Sequence, residues 1–419
     1  MQQGAISIRA SVCLHVAMAV LLAQAAAQDP APAPAIGPSA AVAPFEPQFQ
    51  VIDLLGVGHS GRLLSVAPEI TLVDDRGENA FGWADILELR PLAPVEGFRP
   101  PVPSGWRFEL ADGSSIFGRI VGEDADRVVV DVPGGESVKI GLADARSLVL
   151  TDASEPTRKA FSEQASLTEA VDDAVILMKG DEPVVLRGGV TRWTQAQVQF
   201  RWKDRDLPIP WEKLAGVVLG RPAPTEQPTV VHLRSGARLA GRVIGGDARE
   251  ITLESPSLGR RTVAWPAIER VEARSGRMAF LSDIPPRLYE FTPFLDYRWE
   301  PVFDRSLPGG PITLGGRTYS KGVSMHSQSR LIYAINRAAR QFAATVGISD
   351  EMGRRGAVDV IVVGDGQTLW EARGVRGGDE PREILVDVAS VEVLELRVEF
   401  GDDLDLSDQV CWAFARLIR

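Results

Sequence analysis

Cysteine is nearly missing from this chain of 419 residues: there are two, Cys13 and Cys411, beside four histidines. Cys13 and His15 fall in an N-terminal run that reads as a cleaved leader. The mature chain then keeps Cys411 with His59, His232 and His326. One thiol cannot close an internal disulfide, and a Cys/His metal centre is excluded by count. A basic block is absent too, with 45 Lys and Arg against 56 Asp and Glu and a net charge of −11. An acidic chain without such a block is a poor partner for nucleic acid or anionic lipid. After the leader no apolar run approaches the roughly 18 residues that a membrane-spanning helix needs. No G-x-S-x-G elbow, H-E-x-x-H, P-loop or dinucleotide fingerprint occurs. Three dispersed histidines offer no Ser-His-Asp arrangement. The expectation is a protein that is not an enzyme.

What is present begins with export. Arg9 precedes the short apolar run Val12 to Ala23, and Ala23-Gln24-Ala25 and Ala25-Ala26-Ala27 both fit an A-x-A cleavage site. This order predicts a signal peptide over 1–27 and a secreted, periplasmic or cell-envelope protein. Residues 28–48 are dominated by Ala and Pro and read as an extended linker.

Beyond it, short Val/Ile/Leu/Phe runs alternate with Gly, Asp, Asn and Pro, which is strand-and-turn punctuation. The stretch Phe108 to Leu150 repeats in Val231 to Ala273 without a gap. Gly113 matches Gly236, Gly118-Arg119 matches Gly241-Arg242, and Val128 to Val130 matches Ile251 to Leu253. Two looser copies carry Gly61-Arg62 with Trp83-Ala84-Asp85-Ile86, and Gly188 with Trp211-Glu212-Lys213-Leu214. Four β-repeats are therefore expected over 49–92, 104–151, 174–221 and 228–275, with a polar linker or short helix over 152–173. A tight Asp-Gly or Ser-Gly hairpin and an interior glycine in the second strand suit small SH3-like or Sm-like barrels, packed in pairs because each buries little alone.

From about Phe280 the texture changes. An aromatic stretch (FTPFLDYRWEPVF) leads to Tyr319-x-Lys321-Gly322-Val323-x-x-His326. Next come Phe342 to Ile348 and Val358 to Trp370, the latter with a Gly364-Asp365-Gly366-Gln367 turn. Val391 to Phe400 follows, then an acidic loop before Trp412. Alternating apolar and polar residues in the last two runs predict half-buried antiparallel strands. The ordered set resembles the NPCBM domain, the carbohydrate-binding module associated with family 98 glycosyl hydrolases, over 280–419. The resemblance implies an antiparallel jelly-roll sandwich of galactose-binding-like topology and a glycan-binding role. The whole chain is thus expected to be all-β, four small barrel-like repeats followed by that sandwich.

Sugar recognition needs an aromatic face beside planar polar groups. Tyr297, Trp299, Tyr319 and Trp370 are the aromatic candidates, Arg298 and Arg330 the donors, and His326 a polar contact. Core packing is the competing fate of each aromatic. Asp402, Asp403, Asp405 and Asp408 crowd one loop as hard-cation ligands would, and sandwiches of this kind often hold structural calcium; a solvated acidic turn is the alternative. Lys321 is expected to pair with a carboxylate, and Cys411 and Trp412 to be core. Three readings follow in order: a non-catalytic carbohydrate-binding protein whose repeats space the sandwich or hold protein partners, a structural scaffold of the envelope, and an accessory module of a cryptic glycoside hydrolase.

Overall fold

The structure, a computed structural model, describes residues 48–93, 97–167, 172–179, 182–294, 297–402 and 404–419. The expected signal peptide and nearly all of the expected Ala/Pro-rich linker lie outside the described residues. Between the connecting turns and loops, the regular structure of the described residues is antiparallel β-strand apart from one α-helix, Glu155–Ala165, and single 3-10 turns.

One succession of elements recurs over residues 48–91, 106–150, 173–218 and 229–273. Four strands pair in order, a one-turn 3-10 helix follows, and a fifth strand returns to pair with the first. In the last copy these strands are Thr229–Leu233, Arg238–Gly246, Glu250–Ser255, Gly259–Ala264 and Ile268–Ala273. The interior glycines explain the bend of the long second strand. A side chain at Gly118, Gly188 or Gly241 would run into the carbonyl oxygen of Asp131, Arg201 or Glu254 on the third strand, and one at Gly61 would lie 2.6 Å from that of Val73. The ladder slips by one residue just beyond, for example between Val243 and Gly245, so close approach and bulge act together to fold the strand over.

The tryptophans of the 3-10 turns hold the opposite side of the same bend. The indole N–H of Trp83, Trp211 and Trp265 donates to the carbonyls of Val66, Thr194 and Asp247 at 2.8, 2.9 and 2.7 Å. The second copy has Leu142 in that place. The units associate in pairs, the first with the fourth through Leu89 opposite Val271, and the second with the third through Leu148 opposite Val217. Buried Asp112 joins the second to the fourth, accepting from Ser255 Oγ at 2.5 Å and Ser257 N at 3.0 Å.

The C-terminal part is a two-sheet sandwich. One sheet orders Val302–Phe303, Gly322–His326, Gln409–Ile418, Gln341–Ile348 and Arg382–Asp387, with Met278–Phe280 also on Gln409–Ile418. The other orders Leu288–Phe291, Ser329–Ala334, Val393–Phe400, Ala357–Gly364 and Gln367–Arg376. The expected hairpin joins the last two of these in chain order, with Asp365 and Gly366 at φ +47° and +82° as a tight turn requires. Tyr333, Phe342, Val360 and Trp412 fill the space between the sheets.

The sandwich is not a bead on a string. Phe280 and Phe414 of its first sheet, with Tyr319 from the separate hairpin Ile312–Leu314/Arg317–Tyr319, pack with Ile52, Leu54 and Leu87 of the first unit. Arg416, 2 % exposed, donates from Nε to the Leu54 carbonyl at 2.8 Å and from Nη1 to that of Phe414 at 2.7 Å.

Candidate functional site

Three segments meet at one edge of the sandwich: the described residues 297–301, the end of Gly322–His326, and the described residues 404–408 before Gln409–Ile418. They enclose a cavity of about 350 Å³ lined by Tyr297, Trp299, His326, Asp405, Ser407 and Gln409. Trp299 lies parallel to the His326 ring, 3° between planes and 5.0 Å between centroids, and Tyr297 meets Trp299 edge-on at 4.9 Å. The Tyr289 hydroxyl fixes this arrangement by donating to the Trp299 carbonyl at 2.8 Å. Tyr297 is 66 % exposed, so a wide aromatic surface stays open beside the cavity.

The polar side of the cavity is equally specific. His326 is 4 % exposed and its Nδ1 donates to the Ser327 carbonyl at 2.8 Å, which leaves Nε2 as an acceptor. Burial holds its pKa below the ordinary 6.5, against the opposing pull of the Ser327 carbonyl and Asp405, so the ring is neutral at neutral pH. Gln409 is 9 % exposed, and its Oε1 is buried without a hydrogen-bond partner. A buried acceptor costs free energy until something donates to it. The arrangement can therefore hold a flat, C–H-faced molecule on the aromatics while its hydroxyls reach Gln409, Asp405, Ser407 and His326.

The expected site residues divide. Trp299 and His326 come together, with Tyr297 beside them. Arg298 is adjacent but exposed; its Nε donates to Glu300 at 2.6 Å and its guanidinium sits 5.7 Å from the Tyr289 ring centre. Tyr319 requires correction. It is 5 % exposed, edge-on to Phe414 at 5.1 Å and covered by Arg317 at 4.9 Å, within the buried cluster that also holds Ile52 and Leu54 of the first unit. Trp370 is also displaced: it lies on Gln367–Arg376, at the opposite edge of its sheet, and packs on the sandwich core. Ser407 and Gln409 escaped sequence reasoning. Their one signal was adjacency to the acidic run.

The carboxylates do not assemble as expected for calcium. Asp402 accepts from Arg376 Nη2 at 2.5 Å, and Asp405 faces the aromatic cavity. Asp408 is fully buried, accepting from Ser327 Oγ at 2.5 Å and Ala357 N at 3.0 Å. Asp403 lies outside the described residues. Among the described residues no three His, Cys, Asp or Glu side chains form a group able to hold a metal ion. The described members of the run have separate tasks and do not fit a hard cation, which wants many oxygens on one point.

The Lys-Gly element is structural. Lys321 Nζ donates to Asp283 at 2.5 Å and Asp304 at 2.9 Å, and a side chain at Gly322 would lie 2.7 Å from the Trp412 carbonyl oxygen. Cys411 is core, its thiol pushed up to about 11 by burial.

Residues 278–418 match the NPCBM/NEW2 domain family, so this part of the chain is a carbohydrate-binding-module-like domain. A relative from Renibacterium salmoninarum, named "Putative endo-alpha-N-acetylgalactosaminidase", is 29 % identical over 110 residues. That alignment takes 26 % of this chain and 7 % of the relative. Among solved structures, the chain is similar to the CBM51 of Clostridium perfringens GH95 in complex with methyl-galactose. It is 24 % identical there, covering 33 % of this chain and 99 % of that one, with a TM-score of 0.31. The CBM51-2 and INT domains of Clostridium perfringens ZmpB, in complex with GlcNAc, are 20 % identical, covering 43 % of this chain and 38 % of that one, with a TM-score of 0.32.

Proposed function

We propose that this is an exported, non-catalytic carbohydrate-binding protein, in which the sandwich binds a glycan at the Trp299–His326 cavity and the β-units space and orient it. The observation that carries the reading is the juxtaposition of an open aromatic surface with a buried, unpaired acceptor on Gln409. The three histidines are engaged apart from one another: His59 with Asp53, His232 with Glu272 and His326 with its own backbone. The histidines thus supply no assembled proton relay. Export follows from the leader read in the sequence.

The test is a glycan array followed by calorimetry on the full chain. Domains of relatives were solved with methyl-galactose and GlcNAc, so these sugars head the panel. Saturable binding to one sugar class is expected, and Trp299→Ala should weaken it by roughly thirtyfold, the loss of about 2 kcal/mol usual for a central aromatic anchor. Silence across the panel from folded protein would sink the reading. A second reading, protein recognition by the repeats, is favoured by one feature. A cleft of about 740 Å³ lies between the second and fourth units, walled by Phe98, Pro101, Phe117, Leu258 and Val263.

A further inference from the structure

A second concavity of about 270 Å³ opens beside the aromatic cavity, on the outer surface of the five-stranded sheet. Gln328, Arg330, Arg397 and Glu399 line it together with Glu290 and Thr292. Strand register builds it. Glu290, Arg330 and Arg397 stand opposite one another on three neighbouring strands, so their planar side chains form a row across the sheet. Local pairs hold the row: Arg330 Nε donates to Glu290 at 2.6 Å, Arg397 Nε to Glu395 at 2.7 Å, and the Gln328 amide to Glu399.

The two concavities are built from the same three segments. The run after Phe291 supplies Thr292 to one and Trp299 to the other. The turn after Gly322–His326 supplies Gln328 to one and His326 to the other, and the run around 399–409 supplies Glu399 and Gln409. The turn between them is tied down, since Ser329 Oγ donates to the His326 carbonyl at 2.5 Å and Thr292 N to that of Gln328 at 2.9 Å. Phe294, 47 % exposed and edge-on to Phe400 at 6.0 Å, adds an open aromatic ring carried by two of these same segments.

We infer that the glycan surface continues from the aromatic cavity over this turn into the polar cleft, which is a second subsite for the next residue of a neutral oligosaccharide. This rests on the glycan reading of the aromatic cavity and extends it. The cleft offers no ring to stack on and no apolar wall, so it suits a hydroxyl-rich unit held by hydrogen bonds. It does not suit an acidic sugar. Arg330 and Arg397 are already neutralised, and Glu290, Glu395 and Glu399 would repel a carboxylate.

Calorimetry on the full chain tests it with methyl galactoside and methyl N-acetylglucosaminide against neutral di- to tetrasaccharides ending in the same sugars. The oligosaccharide should bind about tenfold more tightly than its terminal methyl glycoside, the worth of one or two added hydrogen bonds. Gln328→Ala should erase most of that gain and leave the methyl glycoside Kd unchanged, with exposed Thr292→Val as an independent variant whose folding is secure. Equal affinity for short and long sugars, loss of both alike in these variants, or preference for a uronate-containing oligosaccharide would overturn the subsite and leave the aromatic-cavity reading standing. Failure of every sugar to bind folded protein would overturn both.

Discussion

Trp265 and Trp299 make the most instructive pair in this protein, one in the array of β-units and one in the sandwich. Trp265 is 3 % exposed, its N–H given to Asp247 and its ring pressed edge-on to Phe49 at 4.9 Å. Trp299 is half-buried, held through its backbone by Tyr289, with its ring stacked on a histidine and bordering a cavity. The array spends its unusual residues on backbone geometry. The sandwich edge fixes its aromatics from behind and leaves their surfaces open. A residue that completes a bend is coupled to stability, whereas one held out by its backbone can be removed at little structural cost.

That contrast can be broken first at a glycine. Gly241→Val would drive a branched side chain into the Glu254 carbonyl. It should destabilise the array by about 3 kcal/mol, the upper range for overpacking. Trp299→Ala should change the unfolding free energy read from urea melts by less than about 1 kcal/mol while binding collapses. Comparable losses in both variants would erase the distinction.

The joint between the regions comes next. Arg416→Ala removes a buried side chain and strands the Leu54 and Phe414 carbonyls, so a loss of about 2–3 kcal/mol is expected. Calorimetric unfolding should then split into separate transitions for array and sandwich. A single unshifted transition would show that the joint contributes nothing.

Acid separates the regions more gently. His326 in the sandwich and His232 in the array both have pKa values lowered by burial, His232 despite its hydrogen bond to Glu272. A lowered histidine stays neutral in the folded state while the unfolded state takes up a proton below about pH 6.5, so stability falls as pH drops through that point and levels off below the folded pKa. Glu272 acts lower. Burial would raise its pKa, but His232, Arg274 and Arg270 outweigh burial and hold it well below 4.5. Its contribution is present above about 4.5 and disappears as pH falls towards its folded pKa. Denaturant melts from pH 8 to 3 should show an early decline softened by His326→Gln and a later one removed by Glu272→Gln, which lowers the neutral-pH baseline. A pH-independent midpoint between 7 and 5 would contradict the first.

The smallest effect lies in the acidic run. Asp402 is paired with Arg376 on the surface, both side chains more than half exposed. Asp402→Asn should alter stability by less than about 0.5 kcal/mol, as exposed pairs do. Adding calcium or a chelator should leave both the melting temperature and glycan binding unchanged. A clear calcium-dependent rise in either would restore the metal-site reading.

Much of this was legible along the chain. Gly118 and Gly241 pointed to a bend from the sequence alone, because an interior glycine in a strand usually marks a bulge or sharp bend, and Gly61 and Gly188 stood at the matching places of the looser copies. The Lys321-Gly322 element and the Asp365-Gly366 turn were equally local. Tyr319 was not legible. Its fate depends on Ile52 and Leu54, some 265 positions upstream, which cover a sheet face that pattern alone would leave to solvent. The Asp402 to Asp408 run misled for a related reason: proximity in sequence says nothing of direction, and Arg376, the cavity and Ala357 each claimed a different carboxylate.

The chain by itself determined an all-β protein with recurring strand units and half-buried antiparallel strands in its C-terminal third, where its motifs also resemble the NPCBM domain. Alternation, turn residues and interior glycines act over a few positions and need no distant partner. Only the tertiary structure decided which aromatics border the cavity, that Gln409 carries an unpaired acceptor, and that the sandwich is fastened to the first unit. Those outcomes depend on which surfaces long-range strand pairing brings together, and burial is a property of the assembled surfaces rather than of any segment.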